Sequence, residues 1–341
     1  MLDKKIGQRI TIFGFIMTCL IIGVHSTALG SEFQPVLQND FDIRMNQAVE
    51  TLYVQGGRLA MRFFFMTTGF LLFRDLSFQN FGQKLKKRIN SLLIPYIIWQ
   101  ALAILHNTAL GYAPDMGKLL QKTFLLDWPV NGPLWYVYVV FLLALLSPVF
   151  LLCFRNQKIG FFAILLMCMG LYTYDFGEVS QYGLMSNIIF YLPSYLLGAF
   201  FGHFYNCAEK DKTIEYLFYF LAGALAWELI KGGSFDHLAG SAFPILILLY
   251  LPAGDRAAEL PVYRYSFMMY ASQTILVPHL LATVYRLMNW AMPFGFLVNF
   301  LGRLACIGFC LLGCMIVYAF MGRFLPKTLG LLTGGRASVR R

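Results

Sequence analysis

The sequence predicts an all-α, polytopic membrane protein, and three observations lead to that prediction. Hydrophobic residues make up 58% of the 341-residue chain and charged residues 13%. The mean hydropathy is +0.63, which is outside the range typical of soluble globular domains. Apolar runs of about 20 residues, long enough to cross a bilayer as a helix, recur along the whole chain. The polar segments between these runs alternate in charge.

The apolar runs predict about ten transmembrane helices. The candidate spans are 10–29, 58–73, 91–110, 133–153, 159–174, 185–205, 214–230, 238–253, 266–287 and 296–322. Neither a tandem repeat nor an inverted half-repeat of the transporter kind is visible among them. We therefore interpret residues 1–341 as a single transmembrane domain.

The distribution of charge between the spans predicts the topology. Basic residues such as Lys4 and Lys5 precede the first span, and four more lie at 84–88 after the second, whereas Asp40 and Glu50 lie in the connection between them. Short basic loops stay in the cytoplasm, so both termini are predicted to be cytoplasmic. This topology accounts for the net charge of +10 without a nucleic-acid partner, and it predicts contact with membrane lipids.

The seven cysteines predict neither disulfides nor a metal site. Most lie inside the spans, and no C-x-x-C pair is present. Cys306, Cys310 and Cys314 are four residues apart and share one helix face. Small residues on one face of a transmembrane helix are typical of close helix packing, so we expect a packing role for this face and no bound metal.

A histidine lies near the end of the first span, in the stretch CLIIGVHST at 19–27. The predicted topology places His25 in the outer quarter of the bilayer, where a polar side chain needs a partner or a function. Imidazole is suited to proton transfer near neutral pH, which makes His25 the candidate catalytic base. Its position alone also allows an interfacial histidine that snorkels or bonds a neighbouring helix.

Two arginines are predicted at the depth of His25. Arg58 and Arg62 are four residues apart in the second span and therefore share one helix face. Together with His25 they predict a polar cavity that opens outward, in which a guanidinium could orient an acceptor sugar or hold an anionic intermediate. Snorkelling is the alternative for Arg58. Further polar residues at this level, each typical of an interface anchor, are His106, Trp135, Glu228, His279 and Arg286.

A basic cluster directly precedes the third span. It consists of Lys84, Lys86, Lys87 and Arg88. These side chains would suit the phosphates of a nucleotide-linked donor. They are also typical of topology determinants that contact anionic lipids, and both interpretations stay open.

Six pieces of the sequence, taken in order, carry a resemblance to a known family. They are GVHS at 23–26, RLAMRFFFMTTGFLLF at 58–73, KKRINSLLIPY at 86–96, NGPLWYVYVVFLLALLSPVF at 131–150, YLPSYLLGAFFG at 191–202 and YSFMMYASQTIL at 265–276. Together they cover most of the chain and resemble the acyltransferase family 3. Its members are membrane proteins of about ten helices that acylate hydroxyls of cell-surface carbohydrates.

The resemblance implies a reaction and a site. It implies that His25 is the catalytic base, that Arg58 and Trp135 occupy family positions, and that a cytoplasmic acyl-CoA, acetyl-CoA in the simplest case, is the donor. The basic cluster at 84–88 would then bind the donor. The acceptor would be a hydroxyl of an extracytoplasmic glycan, such as an exopolysaccharide of the cell envelope, or of a lipid-linked sugar. The protein would lie in a bacterial cytoplasmic membrane.

Two positions depart from the family pattern. Gly14 stands where many members carry an arginine, and Gln273, assigned to the substrate site, stands where members carry a histidine. The donor path must then find positive charge elsewhere, and Arg62 is a hypothetical partial substitute. Two alternatives stay open: an inactive family member that assists polymer export, and a transporter of a polar or anionic solute that binds it through Arg58 and Arg62.

Overall fold

The computed structural model describes residues 4–27, 35–112, 128–173, 184–205, 210–231 and 238–336. Within these ranges the chain is helical and contains no strand, so the all-α prediction is confirmed. The α-helices are α1 (Lys4–His25), α2 (Asp40–Phe73), α3 (Phe81–Arg88), α4 (Ile94–Ala109), α5 (Trp135–Leu145), α6 (Ser147–Cys153), α7 (Gln157–Thr173), α8 (Leu184–Phe204), α9 (Lys210–Lys231), α10 (Phe243–Tyr250), α11 (Asp255–Ala258), α12 (Ser266–Ala291), α13 (Gly295–Phe324) and α14 (Pro326–Leu332). Short 3₁₀ turns precede α5, α10 and α12, and a π-helical turn, Ile89–Leu93, joins α3 to α4.

Four helical segments among the described residues are long and apolar enough to cross a membrane. They are Lys4–His25, Phe81–Ala109, Asp255–Ala291 and Gly295–Phe324. A fifth results if Gly132–Leu145 and Ser147–Cys153, which meet at 55°, form one bent span. The structure therefore supports a multi-pass membrane protein. The count of ten spans and the cytoplasmic position of both termini stay predictions.

The second helix is much longer than the predicted span 58–73. α2 contains 34 residues, so at 1.5 Å per residue it is about 50 Å long, against a hydrocarbon core of about 30 Å. Residues 40–57, predicted as a polar connection, are helical, and the Asn39 side chain caps their start by accepting a bond from the Asp42 N–H at 3.0 Å. Val49, Tyr53 and Gly57, four residues apart, form a buried face on this extension.

The start of α2 also fixes the start of α13. The buried Asp42 carboxylate accepts hydrogen bonds from the backbone N–H groups of Gly295 at 2.8 Å and Phe296 at 2.7 Å, and from Gln38 N–H at 3.0 Å. Burial alone would raise the pKa of Asp42, but these three bonds outweigh it and hold the pKa below its ordinary value. Asp42 therefore acts as an anionic cap for the N-terminus of α13.

Glycines bring α2 and α8 into backbone contact. A methyl group at Gly69 would overlap the carbonyl oxygen of Tyr195, and one at Gly198 would overlap the carbonyl oxygen of Met66. Gly202, four residues after Gly198, meets the next turn of α2 in the same way. This is the small-residue packing by which membrane helices gain van der Waals contact. It holds α2, which carries Arg58, rigidly against α8.

The cysteine face of α13 packs as predicted. Cys306, Cys310 and Cys314 are all buried. Cys310 Sγ lies 3.8 Å from the Met269 carbonyl oxygen, and Cys314 Sγ lies 3.5 Å from Ser272 Oγ, both on α12. The packing role of this face is therefore confirmed, and α12 and α13 form a close pair.

Candidate functional site

A cavity of about 240 Å³ opens beside the end of α1. We call it the histidine cavity, and its lining includes His25, Arg58, Trp135, Tyr191 and Tyr270. These residues come from α1, α2, α5, α8 and α12 in turn. Three of the predicted site residues, His25, Arg58 and Trp135, are thus brought together around one space.

His25 is the last residue of α1 and its side chain is exposed to the cavity. The helix ends in a tight turn, in which Ser26 Oγ donates to the Ile22 carbonyl at 2.7 Å. No described residue forms a hydrogen bond with the imidazole, so its ring nitrogens face the cavity without a fixed partner. This arrangement leaves a proton acceptor directed at whatever molecule occupies the space.

Aromatic rings form one wall of the histidine cavity. Phe65 and Tyr191 stack at a centroid distance of 5.5 Å with an interplanar angle of 5°, and Trp135 lies 5.9 Å from Tyr191. Buried rings in such contact are stiff. Trp135 and Tyr191, which line the cavity with His25 and Arg58, therefore present a fixed apolar surface to it.

A buried amide holds the turn that leads into Trp135. Asn131 is fully buried. Its Oδ1 accepts a hydrogen bond from Thr274 Oγ1 at 2.8 Å, and its Nδ2 donates to the Ala271 carbonyl at 2.9 Å. Its backbone N–H donates to Gln100 Oε1 at 2.9 Å. The turn is thereby tied to α4 and α12, which fixes where Trp135 begins α5.

Arg62 does not line the histidine cavity. Its side chain is buried against α8 and the turn before α10, with the guanidinium carbon 5.1 Å from the Phe190 ring centroid. A methyl group at Gly240 would overlap the guanidinium, which would have to shift to admit it. Four helical residues rotate by about 400°, so Arg62 points about 40° away from Arg58 and one turn further along. The structure separates the two arginines that the spacing had grouped.

Gln273 also lines neither the histidine cavity nor the cavity described next. It is 1% exposed, and its Nε2 donates to the Tyr270 carbonyl one turn earlier at 2.9 Å. Its contact with Tyr270 is through the backbone of α12. The substrate-binding role predicted for Gln273 has no support from its position, and it stays a prediction.

A second cavity, of about 350 Å³, contains two guanidinium groups. We call it the arginine cavity, and its lining includes Gly14, Arg88, Tyr136, Tyr270 and Arg336. No carboxylate among the described residues lines it, and the lining also contains Thr11, Thr18, Thr68, Tyr263 and Ser266. The space next to Gly14 is open, since no atom lies within 4 Å of the position of an added Cβ.

Of the four predicted donor-binding bases, the structure brings only Arg88 into the arginine cavity. Lys84 lies 3.9 Å from the carboxylate of Asp75, while Lys86 and Lys87 are exposed on α3. α3 is a short helix on which the four bases point in different directions, because consecutive residues turn by about 100°. Arg336 supplies the second guanidinium, although it is more than 200 residues away in sequence.

The two cavities share Tyr270. Its buried ring lines both spaces, and its hydroxyl donates to the Pro133 carbonyl. Tyr136 stands beside it, with ring centroids 6.4 Å apart, and hydrogen bonds to Thr68 at 2.6 Å. The quoted motif YSFMMY contains Tyr270, but the sequence reasoning gave it no role. Tyr270 therefore lies at the boundary between the histidine cavity and the arginine cavity.

A buried ion pair that sequence reasoning missed supports the end of α1. Arg303 on α13 is 1% exposed and pairs with Glu50 on α2. Its Nη1 donates to the Gly23 carbonyl at 2.9 Å, two residues before His25. Its guanidinium also lies 4.8 Å from the Tyr53 ring centroid. An ionisable residue inside the apolar run 296–322 was the available signal, because such residues are functional candidates by default.

The other polar residues predicted at the outer level have local partners. His106 Nε2 and His279 Nε2 are 2.7 Å apart, which joins α4 to α12. Glu228 is buried and accepts the N–H of Leu238 at 2.7 Å and of Ala239 at 3.3 Å. None of these side chains lines either cavity. Arg9, near the start of α1, likewise caps α10 by donating to the carbonyls of residues 248, 249 and 251.

Comparison with known proteins adds a family to this geometry. The sequence model of acyltransferase family 3, described as an acyltransferase domain, matches residues 14–319. No curated protein and no solved structure matches the chain. The matched range includes every residue of the histidine cavity named above, whereas Arg336 lies beyond it.

Proposed function

The chain belongs to acyltransferase family 3, and from this premise we propose that it is an integral-membrane O-acyltransferase. It moves a short acyl group, acetyl in the simplest case, from acyl-CoA to a hydroxyl of an extracytoplasmic glycan or lipid-linked sugar. One observation carries this proposal: a cavity with an accessible histidine and a cavity with two arginines share the Tyr270 ring. A base for the acceptor and charges for a phosphorylated donor thus lie on either side of one residue.

On the donor side, the arginine cavity suits an anionic molecule with an extended organic part. Arg88 presents a guanidinium, which matches the geometry of phosphate oxygens. Lys86 and Lys87, exposed on α3, supply positive charge outside the cavity and would attract an anionic donor. The thioester end of the donor would extend toward Tyr270.

On the acceptor side, His25 takes the proton from the acceptor hydroxyl as its oxygen attacks the thioester carbonyl. The Arg58 guanidinium stabilises the negative charge that develops on the carbonyl oxygen. As the carbon–sulfur bond breaks, the thiolate of CoA leaves and the imidazolium returns the proton to the sulfur. The products are the acyl ester and CoA. Trp135 supplies the apolar wall against which a sugar ring can lie.

We extend the proposal to the setting of the reaction. The protein lies in a bacterial cytoplasmic membrane with about ten spans, as one domain over residues 1–341, and both termini face the cytoplasm. The arginine cavity then faces the donor pool and the histidine cavity faces the cell envelope. Membrane lipids surround the bundle, and an exopolysaccharide or its lipid-linked precursor is the acceptor.

The test compares acetyl-CoA turnover, followed by thiol release, in purified wild-type protein and in His25→Ala. We expect His25→Ala to lose a factor of about 100 to 10,000 in turnover, the usual contribution of a general base, and to bind CoA as the wild type does. His106→Ala is the matched control, because His106 pairs with His279 outside both cavities. Equal turnover by His25→Ala and His106→Ala would contradict the proposed role of His25.

A further inference from the structure

We propose that Arg336, beyond the family match, completes with Arg88 an anion site in the arginine cavity that binds the phosphate groups of the donor. The identity of the anion as the donor rests on the proposed function. The existence of the site rests on the structure alone. It makes the C-terminal segment part of the binding site.

The segment that carries Arg336 is packed against the bundle. After α13 the chain turns back into α14, whose Leu329 and Leu332 are buried. Trp99 Nε1 on α4 donates to the Leu332 carbonyl at 3.0 Å. α14 and the turn after it therefore pack on α4 and on the π-helical turn Ile89–Leu93. This π-helical turn directly follows Arg88 in the sequence.

Two glycines aim Arg336 into the cavity. Gly334 and Gly335 have φ of +60° and +78°, left-handed conformations that glycine adopts without strain. A methyl group at Gly334 would also overlap the carbonyl oxygen of Ser91 in the π-helical turn. Arg336 Nη1 then donates to the carbonyls of Ser91 and Thr333, each at 3.0 Å. Turns of the π type are frequent at functional sites.

The remaining donors of both guanidinium groups face the cavity. Nη1 of Arg336 is occupied by backbone carbonyls, while its Nη2 and Nε bond to no described residue. Its guanidinium carbon lies 4.4 Å from the Phe267 ring centroid, which fixes the plane of the group. Arg88 makes no hydrogen bond or ion pair with a described residue. The cavity is therefore lined by guanidinium donors that protein acceptors leave unused.

The charge of the cavity calls for an anion. Two guanidinium groups repel one another, and among the described lining residues no carboxylate offsets them. Tyr263 also lines the cavity, whereas the hydroxyls of Thr11 and Ser266 in the same lining donate to backbone carbonyls. Arginine pairs bind phosphate through two parallel hydrogen bonds each. A phosphorylated ligand with an organic tail fits the cavity of about 350 Å³ and its partly apolar lining.

The experiment measures CoA binding to the purified full chain in a non-ionic detergent by calorimetry. Arg336→Gln should weaken CoA binding about tenfold to a hundredfold, the range for losing a hydrogen bond to a charged group. Lys327→Gln, on the exposed side of α14, is the matched control and should bind as the wild type does. Arg336→Lys keeps the positive charge but loses the paired donors of the guanidinium, so its CoA affinity should lie between those of Arg336→Gln and Lys327→Gln. Equal CoA affinity of Arg336→Gln and Lys327→Gln would overturn the proposal.

Further measurements distinguish loss of the anion site from misfolding of the variant and from binding of a lipid at the same place. Arg88→Gln removes the other guanidinium, which lies on a different helix, and should weaken CoA binding to a similar extent. If only Arg336→Gln weakens CoA binding and its melting temperature is also lowered, the proposal of a site shared by the two arginines is overturned. Inorganic pyrophosphate should compete with CoA in the wild type and less in Arg336→Gln. If phosphatidylglycerol binding depends on Arg336 and CoA binding does not, the donor assignment is overturned.

Failure of the inference and failure of the proposed function give different results. His25-dependent turnover with an unchanged KM for acetyl-CoA in Arg336→Gln would overturn the inference and leave the function standing. Arg336-dependent binding of CoA and pyrophosphate without any turnover by the wild type would support the anion site and contradict the acyltransferase proposal.

Discussion

Removal of the Glu50 carboxylate should destabilise the protein more than removal of its partner. Arg303 is 1% exposed, whereas the Glu50 side chain is 22% exposed. Glu50→Gln therefore leaves a buried guanidinium without a counter-charge, while Arg303→Met leaves a carboxylate that water reaches. Glu50 also keeps its hydrogen bond from Asn299 Nδ2 at 2.7 Å. The two substitutions should therefore lower the free energy of unfolding by different amounts, although they break the same ion pair.

The structure sets the scale of both effects. Breaking a buried pair so that one charge stays uncompensated costs about 3–5 kcal/mol, which we expect for Glu50→Gln. Arg303→Met leaves Asn299 Oδ1 without its donor and removes one of the two hydrogen bonds to the Gly23 carbonyl, which keeps the one from Ser26 N–H. It should cost about 1–3 kcal/mol. In Glu50→Gln/Arg303→Met no buried charge remains. The double variant should therefore be more stable than Glu50→Gln alone, with a coupling energy of about 2 kcal/mol or more.

The assay is the free energy of unfolding of purified protein in mixed micelles, followed by tryptophan fluorescence during detergent-induced unfolding. Arg44→Met is the control, because Arg44 is an exposed arginine on the same helix as Glu50. Additive effects of the two single changes, or a double variant less stable than Glu50→Gln, would refute the reasoning. Acetyl-CoA turnover of Arg303→Met should also fall, since Arg303 holds the carbonyl of Gly23 beside His25.

Three further predictions concern positions outside that network. Gly198→Ala should destabilise the protein by about 1–3 kcal/mol through overpacking, whereas Gly14→Ala, where space is open, should be neutral or stabilise it by up to about 1 kcal/mol in the same unfolding assay. Gly14→Arg should tighten CoA binding about tenfold by adding a third guanidinium to the arginine cavity, and unchanged affinity would contradict the placement of Gly14. The pKa of Asp42 is lowered by folding, so its contribution to stability is present above its unfolded value and is lost as pH falls through the folded value. Between pH 5 and pH 2, roughly the carboxylate range, wild type should therefore lose more stability than Asp42→Asn.

The histidine cavity was predictable because its key residues are set by local position. His25 ends the first apolar run, Arg58 begins the second and Trp135 begins another, so the order and direction of the helices alone bring them to one level. The helical class was predictable from the apolar runs of about 20 residues, which are likewise local. Each of these inferences uses only information within about 20 residues of the position concerned.

The arginine cavity was not predictable because it depends on contacts between distant parts of the chain. Arg336 bonds the carbonyl of Ser91 across 245 residues, by way of two left-handed glycines. The position of Arg62 outside the histidine cavity has a related reason. Helix spacing predicts a shared face but not which neighbouring helix covers it, and α8 and α10 cover this one. The substrate-binding role of Arg62 stays a prediction. The helical extension of α2 likewise depends on the docking of Asp42 against α13.

The position of Tyr270 bears on how a cell keeps its membrane sealed. In the proposed topology, a water-filled passage between the arginine cavity and the histidine cavity would let protons cross the membrane. The phenol ring of Tyr270, tied to Pro133 and next to Tyr136, lies in the lining of both cavities, where it would obstruct such a passage. The proposed transfer then requires the thioester end of the donor to reach past the ring, while the nucleotide of the donor stays on the side from which it entered.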